Sequence, residues 1–154
     1  IINKNQKALL VGGGCGIAPL LYLAKELKKE GIYQDIIIGF KSKKEVIEYE
    51  LYKALAHTFV TTEDGSTGEK GFVTAHSLFS TLNTYDKIYT CGPEVMMKAV
   101  SKRAKEAGVE CEVSLENTMA CGIGACLCCV TPTVHGHQCV CTEGPVFNSK
   151  ELLW

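Results

Sequence analysis

Four cysteines, Cys121, Cys126, Cys128 and Cys129, crowd the stretch "MACGIGACLCCV" (119–130), and Cys139 and Cys141 follow. Thiolates packed this closely can hold a metal. Cys121-x4-Cys126-x2-Cys129 has the spacing of a plant-type [2Fe–2S] ligand loop, which takes a fourth cysteine from elsewhere. Two irons and two sulfides need four thiolates around a compact body, and one loop supplies three only if its backbone wraps tightly. Gly122 and Gly124 give that freedom, and Ala120 and Ala125 leave room. Cys128 adjoins Cys129 and points elsewhere, so it is set aside. In a strand over "HQCVC", Cys139 and Cys141 share a face, so periodicity does not choose the fourth ligand between them.

A structural zinc site is the competing chemistry, and would make this a zinc-stabilised binding module and no part of an enzyme. Zinc favours paired Cys-x2-Cys motifs, and only Cys126 and Cys129 form one. His135, His137, Cys139 and Cys141 alternate, but along a straight strand they spread over about 20 Å at roughly 3.3 Å per residue, too far for one ion. A Rieske centre would need histidine in place of two cysteines, and the first loop has no Cys-x-His pair.

A second chemistry lies near the start. In "VGGGCGIAPL" (11–20), four glycines fall within five residues between an apolar run and a helical pattern. Such a turn lets the backbone approach a phosphate, and the helix N-terminus offers free N–H groups. It is not the common Gly-x-Gly-x-x-Gly fingerprint, because Ile17 stands where the third glycine would be, and no lone acid closes the second strand. Cys91-Gly92-Pro93 ends another apolar run and opens a helix. Ligands of open α/β sheets bind at the carboxyl ends of strands, so both segments can face one crevice.

The elements that must position these groups follow from the hydrophobic pattern. Strands are expected at 7–11, 35–40, 57–62, 86–91 and 110–115, and helices at 17–30, 43–55 and 94–108. A loop is expected at 63–71 and a short helix at 76–82. Alternation of strand and helix predicts an α/β fold with a five-stranded parallel sheet, helices on both faces. The pattern stops near Leu115, so residues 1–115 read as a nucleotide-binding domain and 116–154 as a small Cys-rich module.

The 154 residues carry 46% hydrophobic and 21% charged side chains and a net charge of −1, which suggests neither a nucleic-acid nor a membrane partner. Six of the nine cysteines lie between 121 and 141 while Cys15, Cys91 and Cys111 are scattered, and no secretory leader is read ahead of them, which points to a reducing, cytoplasmic setting. The opening Ile1 reads as a fragment or a processed chain. His57 and His76 lie at element edges and are expected to be surface or capping groups. Cys15 could line a pocket or fill a small space, and Lys41, Lys43 and Lys44 could meet a nucleotide phosphate or solvent.

The pair "GGGCGIAP" and "CGP" resembles the pyridine-nucleotide domain of the ferredoxin–NADP reductase superfamily. The resemblance implies a ferredoxin reductase-like fold. Gly13, Gly14, Gly16, Ile17 and Pro19 would hold the pyrophosphate, and Cys91, Gly92 and Pro93 would lie beside the nicotinamide. With Cys-x4-Cys-x2-Cys and "CTEGPVF" (141–147) added, residues 10 to 152 resemble the electron-transfer subunit of bacterial class 1B dihydroorotate dehydrogenase, to which the loop "EDGSTGEKGFVT" (63–74) is also similar. That resemblance implies a [2Fe–2S] cluster on Cys121, Cys126, Cys129 and Cys141, leaving Cys139 a bystander. It implies electron flow in pyrimidine biosynthesis from dihydroorotate, through an FMN-containing catalytic subunit, the cluster and FAD, to NAD, and so a hetero-oligomer. The family holds FAD in an N-terminal β-barrel that would precede Ile1, so this piece alone is expected to be inactive. The small subunits of NADH-dependent ferredoxin–NADP oxidoreductase and of sulfide dehydrogenase resemble both modules too, but tend to carry Asp at the first ligand position, where this chain has Cys121.

Overall fold

The computed structural model describes Asn3 and residues 5–154. Strand β1 (Lys7–Gly13) runs through a tight turn at Gly14–Gly16 into helix α1 (Ile17–Lys29), and β2 (Tyr33–Phe40) follows. After the short helix α2 (Tyr49–Lys53) come β3 (His57–Thr62) and a two-residue strand β4 (Glu69–Lys70). Then come β5 (Lys87–Cys91), helix α3 (Glu94–Glu106) and β6 (Glu110–Ser114). The cysteine-rich end forms the hairpin β7 (Val130–Thr133) and β8 (Gly136–Cys139), one helical turn α4 (Val140–Glu143), and β9 (Val146–Asn148).

The five expected strands are all present and parallel, but the sheet has seven strands in the order β4-β3-β2-β1-β5-β6-β9. Both faces are covered, so its central strands are continuous apolar runs, with Ile36, Ile37 and Ile38 fully buried. Successive side chains serve opposite faces. Leu9, Val11 and Ile37 share a core cluster with Met97, Val100 and Ala104 of α3, while Leu10, Ile36 and Ile38 share another with Leu20, Ala24 and Leu27 of α1. The strand order reverses between β1 and β5. The crevice at their carboxyl ends is therefore where a ligand fits, and it places Gly13 beside the Cys91-Gly92 turn.

Four expectations need correction. Residues 43–55 are not one helix. A short turn at Lys43–Glu45 and α2 are separated at Glu48, which takes a left-handed φ of 56°. This break lets Tyr52 enter the core fully, where its hydroxyl donates to the Ile17 carbonyl. The loop at 63–71 contributes β4 to the sheet edge. The short helix expected at 76–82 is a series of 3-10 turns, at Val73–Ala75, Ser77–Ser80 and Leu82–Thr84, and His76 is buried there as a cap, accepting from the Leu78 N–H at 3.2 Å.

The fourth concerns the strand expected over "HQCVC", in a Cys-rich segment that packs against the sheet. Strand β9 lies antiparallel to β6, and Cys129, Val140 and Phe147 share the cluster that contains Leu9 and Val100. The segment is thus built onto the sheet of residues 1–115. The strand over "HQCVC" stops at Cys139, because the chain coils into α4 from Val140, whose carbonyl accepts from the Gly144 N–H at 3.1 Å and whose side chain is fully buried. Cys139 and Cys141 therefore do not share a strand face.

Candidate nucleotide cleft and cysteine cluster

Two glycine-bearing loops interlock at the crevice. A Cβ on Gly16 would lie 2.5 Å from the Cys91 carbonyl carbon, and one on Gly92 would lie 2.8 Å from the Gly13 carbonyl oxygen. Gly92 also has φ +149°, which side-chain-bearing residues rarely adopt. Glycine is required here so that two backbones can touch. The joined loops form a wall between two clefts, both lined by Gly13 and Pro93.

One cleft, of about 480 Å³, lies over the ends of β1, β2 and β3, where Gly14, Gly39, Lys41 and Thr61 line it with Phe72 and Met96. The other, of about 550 Å³, faces the Cys-rich segment and is lined by Cys15, Gly16, Gly92, Glu116, Asn117 and Trp154. Cys15 is exposed in it and fills no core space. Of the expected nucleotide residues, Gly13, Gly14, Gly16, Gly92 and Pro93 line these clefts. Ile17 and Cys91 are buried in the core beneath, and Pro19 is exposed on α1 outside them. Burial is the largest influence on the Cys91 thiol and holds its pKa up.

The cysteine loop is wrapped by left-handed residues, with φ of 69° at Gly122, 75° at Gly124 and 58° at Leu127. Gly124 comes close to α4, where a Cβ on it would meet the Thr142 side chain at 3.2 Å. Backbone N–H groups converge on sulfur. Ile123 and Cys126 each donate to Cys121 Sγ at 3.4 Å, Cys128 donates to Cys126 Sγ at 3.5 Å, and Cys141 donates to Cys129 Sγ at 3.4 Å. These bonds stabilise thiolates. The Ile123 and Cys126 N–H groups bring the Cys121 thiol down to about 6, and the Cys141 N–H lowers Cys129.

The cysteines thus associate in two pairs, the Cys126 N–H on Cys121 Sγ and the Cys141 N–H on Cys129 Sγ. Among the described residues, no three Cys, His, Asp or Glu side chains converge as a single ion requires. A [2Fe–2S] cluster takes two protein ligands on each iron, which two cysteine pairs could supply. Cys128 is exposed and offers its N–H to a neighbouring sulfur. Cys139, half-buried, has its thiol raised first by burial and then by the charge of Cys129. His135 and His137 are exposed.

Comparison with known proteins agrees with this reading. Residues 10–102 match the oxidoreductase NAD-binding domain. The chain belongs to that family. The Cys-rich end of the chain, residues 116–153, matches the iron–sulfur cluster binding domain of dihydroorotate dehydrogenase B. The chain is 44% identical to the dihydroorotate dehydrogenase B (NAD(+)) electron transfer subunit of Caldanaerobacter subterraneus subsp. tengcongensis, over 99% of its own length and 62% of that protein. It is 46% identical to the subunit of the same name from Fusobacterium nucleatum subsp. nucleatum, over 98% of its length and 59% of that protein. It thus spans about three fifths of the curated relatives it matches. A solved structure of an NADH-dependent reduced ferredoxin-NADP oxidoreductase superposes over 100% of this chain and 56% of that one, with a TM-score of 0.89 and 34% identity. The resemblance and the ferredoxin reductase-like fold expected from the motifs are borne out.

The glycine motif gave no hint of Thr61 and Glu63, which line the nucleotide cleft from the end of β3, nor of Glu45, which reaches it from the turn after β2. The rule that located Gly13 and Cys91, carboxyl ends of adjacent parallel strands, extended to β2 and β3 would have found the first two. Glu45 has no such signal, because the helix expected over 43–55 would have placed it differently.

Proposed function

We propose that this chain is the nucleotide- and cluster-binding part of an electron-transfer subunit of dihydroorotate dehydrogenase, working with an FMN-containing catalytic subunit and delivering electrons to NAD. The observation that carries it is the backbone association of Cys126 with Cys121 and of Cys141 with Cys129, in a segment joined by β9 to the sheet that bears the cleft. The four thiolates hold a [2Fe–2S] cluster, the Gly13–Gly16 turn takes the pyrophosphate, and the cleft facing the cysteines accepts FAD held mostly by another segment. When bound, the cluster moves single electrons, and the flavin links that to the two-electron hydride chemistry of the nicotinamide. The chain's own residues position and tune: backbone N–H groups stabilise charge on the sulfurs, and Gly16 packed on Gly92 keeps the two clefts apart by a thin wall. None of its side chains is assigned as an acid or base.

We place the protein in the cytoplasm. All nine cysteines are unpaired, as suits a reducing compartment, and no helix among the described residues is long and apolar enough to cross a membrane. Anaerobic reconstitution of the chain with iron and sulfide tests the cluster. We expect about two irons and two sulfides per chain, visible absorption, and a paramagnetic signal on reduction. Serine at Cys121, Cys126, Cys129 or Cys141 loses or destabilises the cluster, while serine at Cys128 or Cys139 spares it. Zinc retention without cluster uptake overturns the assignment. The likeness to the ferredoxin-NADP oxidoreductase favours a second reading, a subunit of that enzyme class. Co-purification with a flavin-containing, dihydroorotate-oxidising subunit decides for the first.

A further inference from the structure

Cys141 owes its place to a very short helix. α4 is four residues long, and a helix of one turn does not hold itself together in water. Val140 anchors it from below, fully buried and donating its N–H to the Cys129 carbonyl at 3.2 Å. At its start, the side chain of the N-cap residue Cys139 caps nothing. Instead the Glu143 carboxylate folds back over the turn and accepts from the Cys139 N–H at 2.5 Å. A glutamate returning to the N-cap N–H does what the acidic half of a capping box does.

Two cysteines compete at this turn. Val130 stands opposite Cys139 across the β7–β8 hairpin, so Cys139 lies beside the chain that carries Cys129, and Cys139 and Cys141 both pack against the core cluster that contains Cys129. Were β8 to run on past Cys139, the two would share a strand face and either could serve. The bond from Val140 to Cys129 does not prevent this, since an extended hairpin would also set those two residues opposite each other. The Glu143 bond does. In a strand Glu143 would stand about 13 Å from Cys139, four residues on at roughly 3.3 Å each, which is beyond the reach of its side chain. The coiled form alone keeps that bond, and in it the Cys141 N–H meets Cys129 Sγ at 3.4 Å while the Cys139 N–H is taken by Glu143.

We propose that Glu143 is a positioning residue that makes Cys141, rather than Cys139, the fourth cluster ligand by holding the chain in α4. This rests on the assignment of the four thiolates to a [2Fe–2S] cluster.

The test is iron and sulfide uptake by the chain under anaerobic reconstitution, with protected thiols mapped by alkylation and peptide mass spectrometry. Cys141→Ser alone takes up little cluster. Cys141→Ser with Glu143→Ala takes up about fivefold more, a factor equivalent to about 1 kcal/mol, which is what such a cap contributes. Cys139 is then protected, and a further Cys139→Ser removes the gain. With Cys141 intact, Glu143→Ala leaves Cys121, Cys126 and Cys129 protected but opens Cys141 to alkylation in a share of chains, in which Cys139 is protected instead. Glu143→Gln, whose amide oxygen still accepts, keeps the pattern of the unaltered chain. No gain in the double variant, or loss of protection at all four ligands together in Glu143→Ala, overturns the role of Glu143 and leaves the cluster assignment standing. Failure of the unaltered chain to take up iron and sulfide overturns both.

Discussion

Gly16→Ala is the perturbation that separates two opposed effects. Gly16 has φ −65° and ψ −6°, an ordinary right-handed conformation that alanine adopts without strain. On conformational grounds alone the substitution should stabilise the chain by about 0.4–1 kcal/mol, by restricting the unfolded state. Against this, the added methyl would lie 2.5 Å from the Cys91 carbonyl carbon and closer still to the Gly92 N and Cα, whereas ordinary contact begins at 3.4 Å. All three are backbone atoms of a loop pinned by β5, so no rotamer change relieves the clash, and the loops must part by about 1 Å. Overpacking of this kind costs about 1–3 kcal/mol, so the clash wins by about 1–2 kcal/mol. At this chain length that lowers Tm by about 2–8 °C. The displaced wall also borders the nucleotide cleft, and loss of one well-placed hydrogen bond to a phosphate, about 1.5 kcal/mol, weakens NADH binding about tenfold. Thermal melts and NADH titrations measure both. Gly31→Ala is the control: it has φ +71° and nothing within 4 Å, so it should cost stability by backbone strain and leave NADH affinity alone. A Gly16→Ala variant that melts at or above the wild-type temperature and binds NADH unchanged would refute the interlocked-loop account.

In the metal-free chain, alkylation of Cys121 by iodoacetamide should rise with pH around a midpoint near 6, because backbone N–H groups hold its thiol at about 6. The phase should vanish in Cys121→Ser, and a midpoint in the ordinary thiol range of 8 to 9 would contradict the preformed sulfur site. Burial lowers the His76 pKa below its ordinary 6.5. The unfolded chain therefore binds a proton below pH 6.5 that the folded chain does not, and stability falls as pH drops through that range. Urea midpoints at pH 7.5 and 5.5 should show the fall, and His76→Gln should lessen it; an unchanged slope would show that other groups carry the acid sensitivity.

Much of the scaffold was legible because its signals are local. The run Ile36-Ile37-Ile38 marks a strand buried on both faces, and Leu20, Ala24 and Leu27 mark the inner face of α1. What failed depended on distant partners. Residues 43–55 have a helical pattern, but drawing Tyr52 onto the Ile17 carbonyl accompanies the break at Glu48. Strand β9 is three residues long and exists by pairing with β6, more than thirty positions away, so no window of sequence reveals it. At the cysteines, spacing singled out Cys121, Cys126 and Cys129, while periodicity left Cys139 and Cys141 equal. The difference lies in the helical turn that begins at Val140, which gives the Cys141 N–H to Cys129 Sγ and the Cys139 N–H to Glu143.

The pairing of β6 with β9 also settles a question of mechanics. Ser114 stands opposite Val146, and the Leu115 N–H donates to the Pro145 carbonyl at 2.9 Å, so residues 116–144 form, in topological terms, the oversized tip of a β-hairpin closed at its neck. A hinge needs a linker whose torsions can turn, and both strands entering this tip are held in the sheet. Tunnelling between redox centres decays steeply with separation. Here both ends of the cysteine tip are fixed by the register of β6 on β9, as the jaws of a vice are set by its frame. On the proposed function, control over electron passage would fall to what docks in the clefts beside the Cys91-Gly92-Pro93 wall and not to a hinge at the neck of the tip.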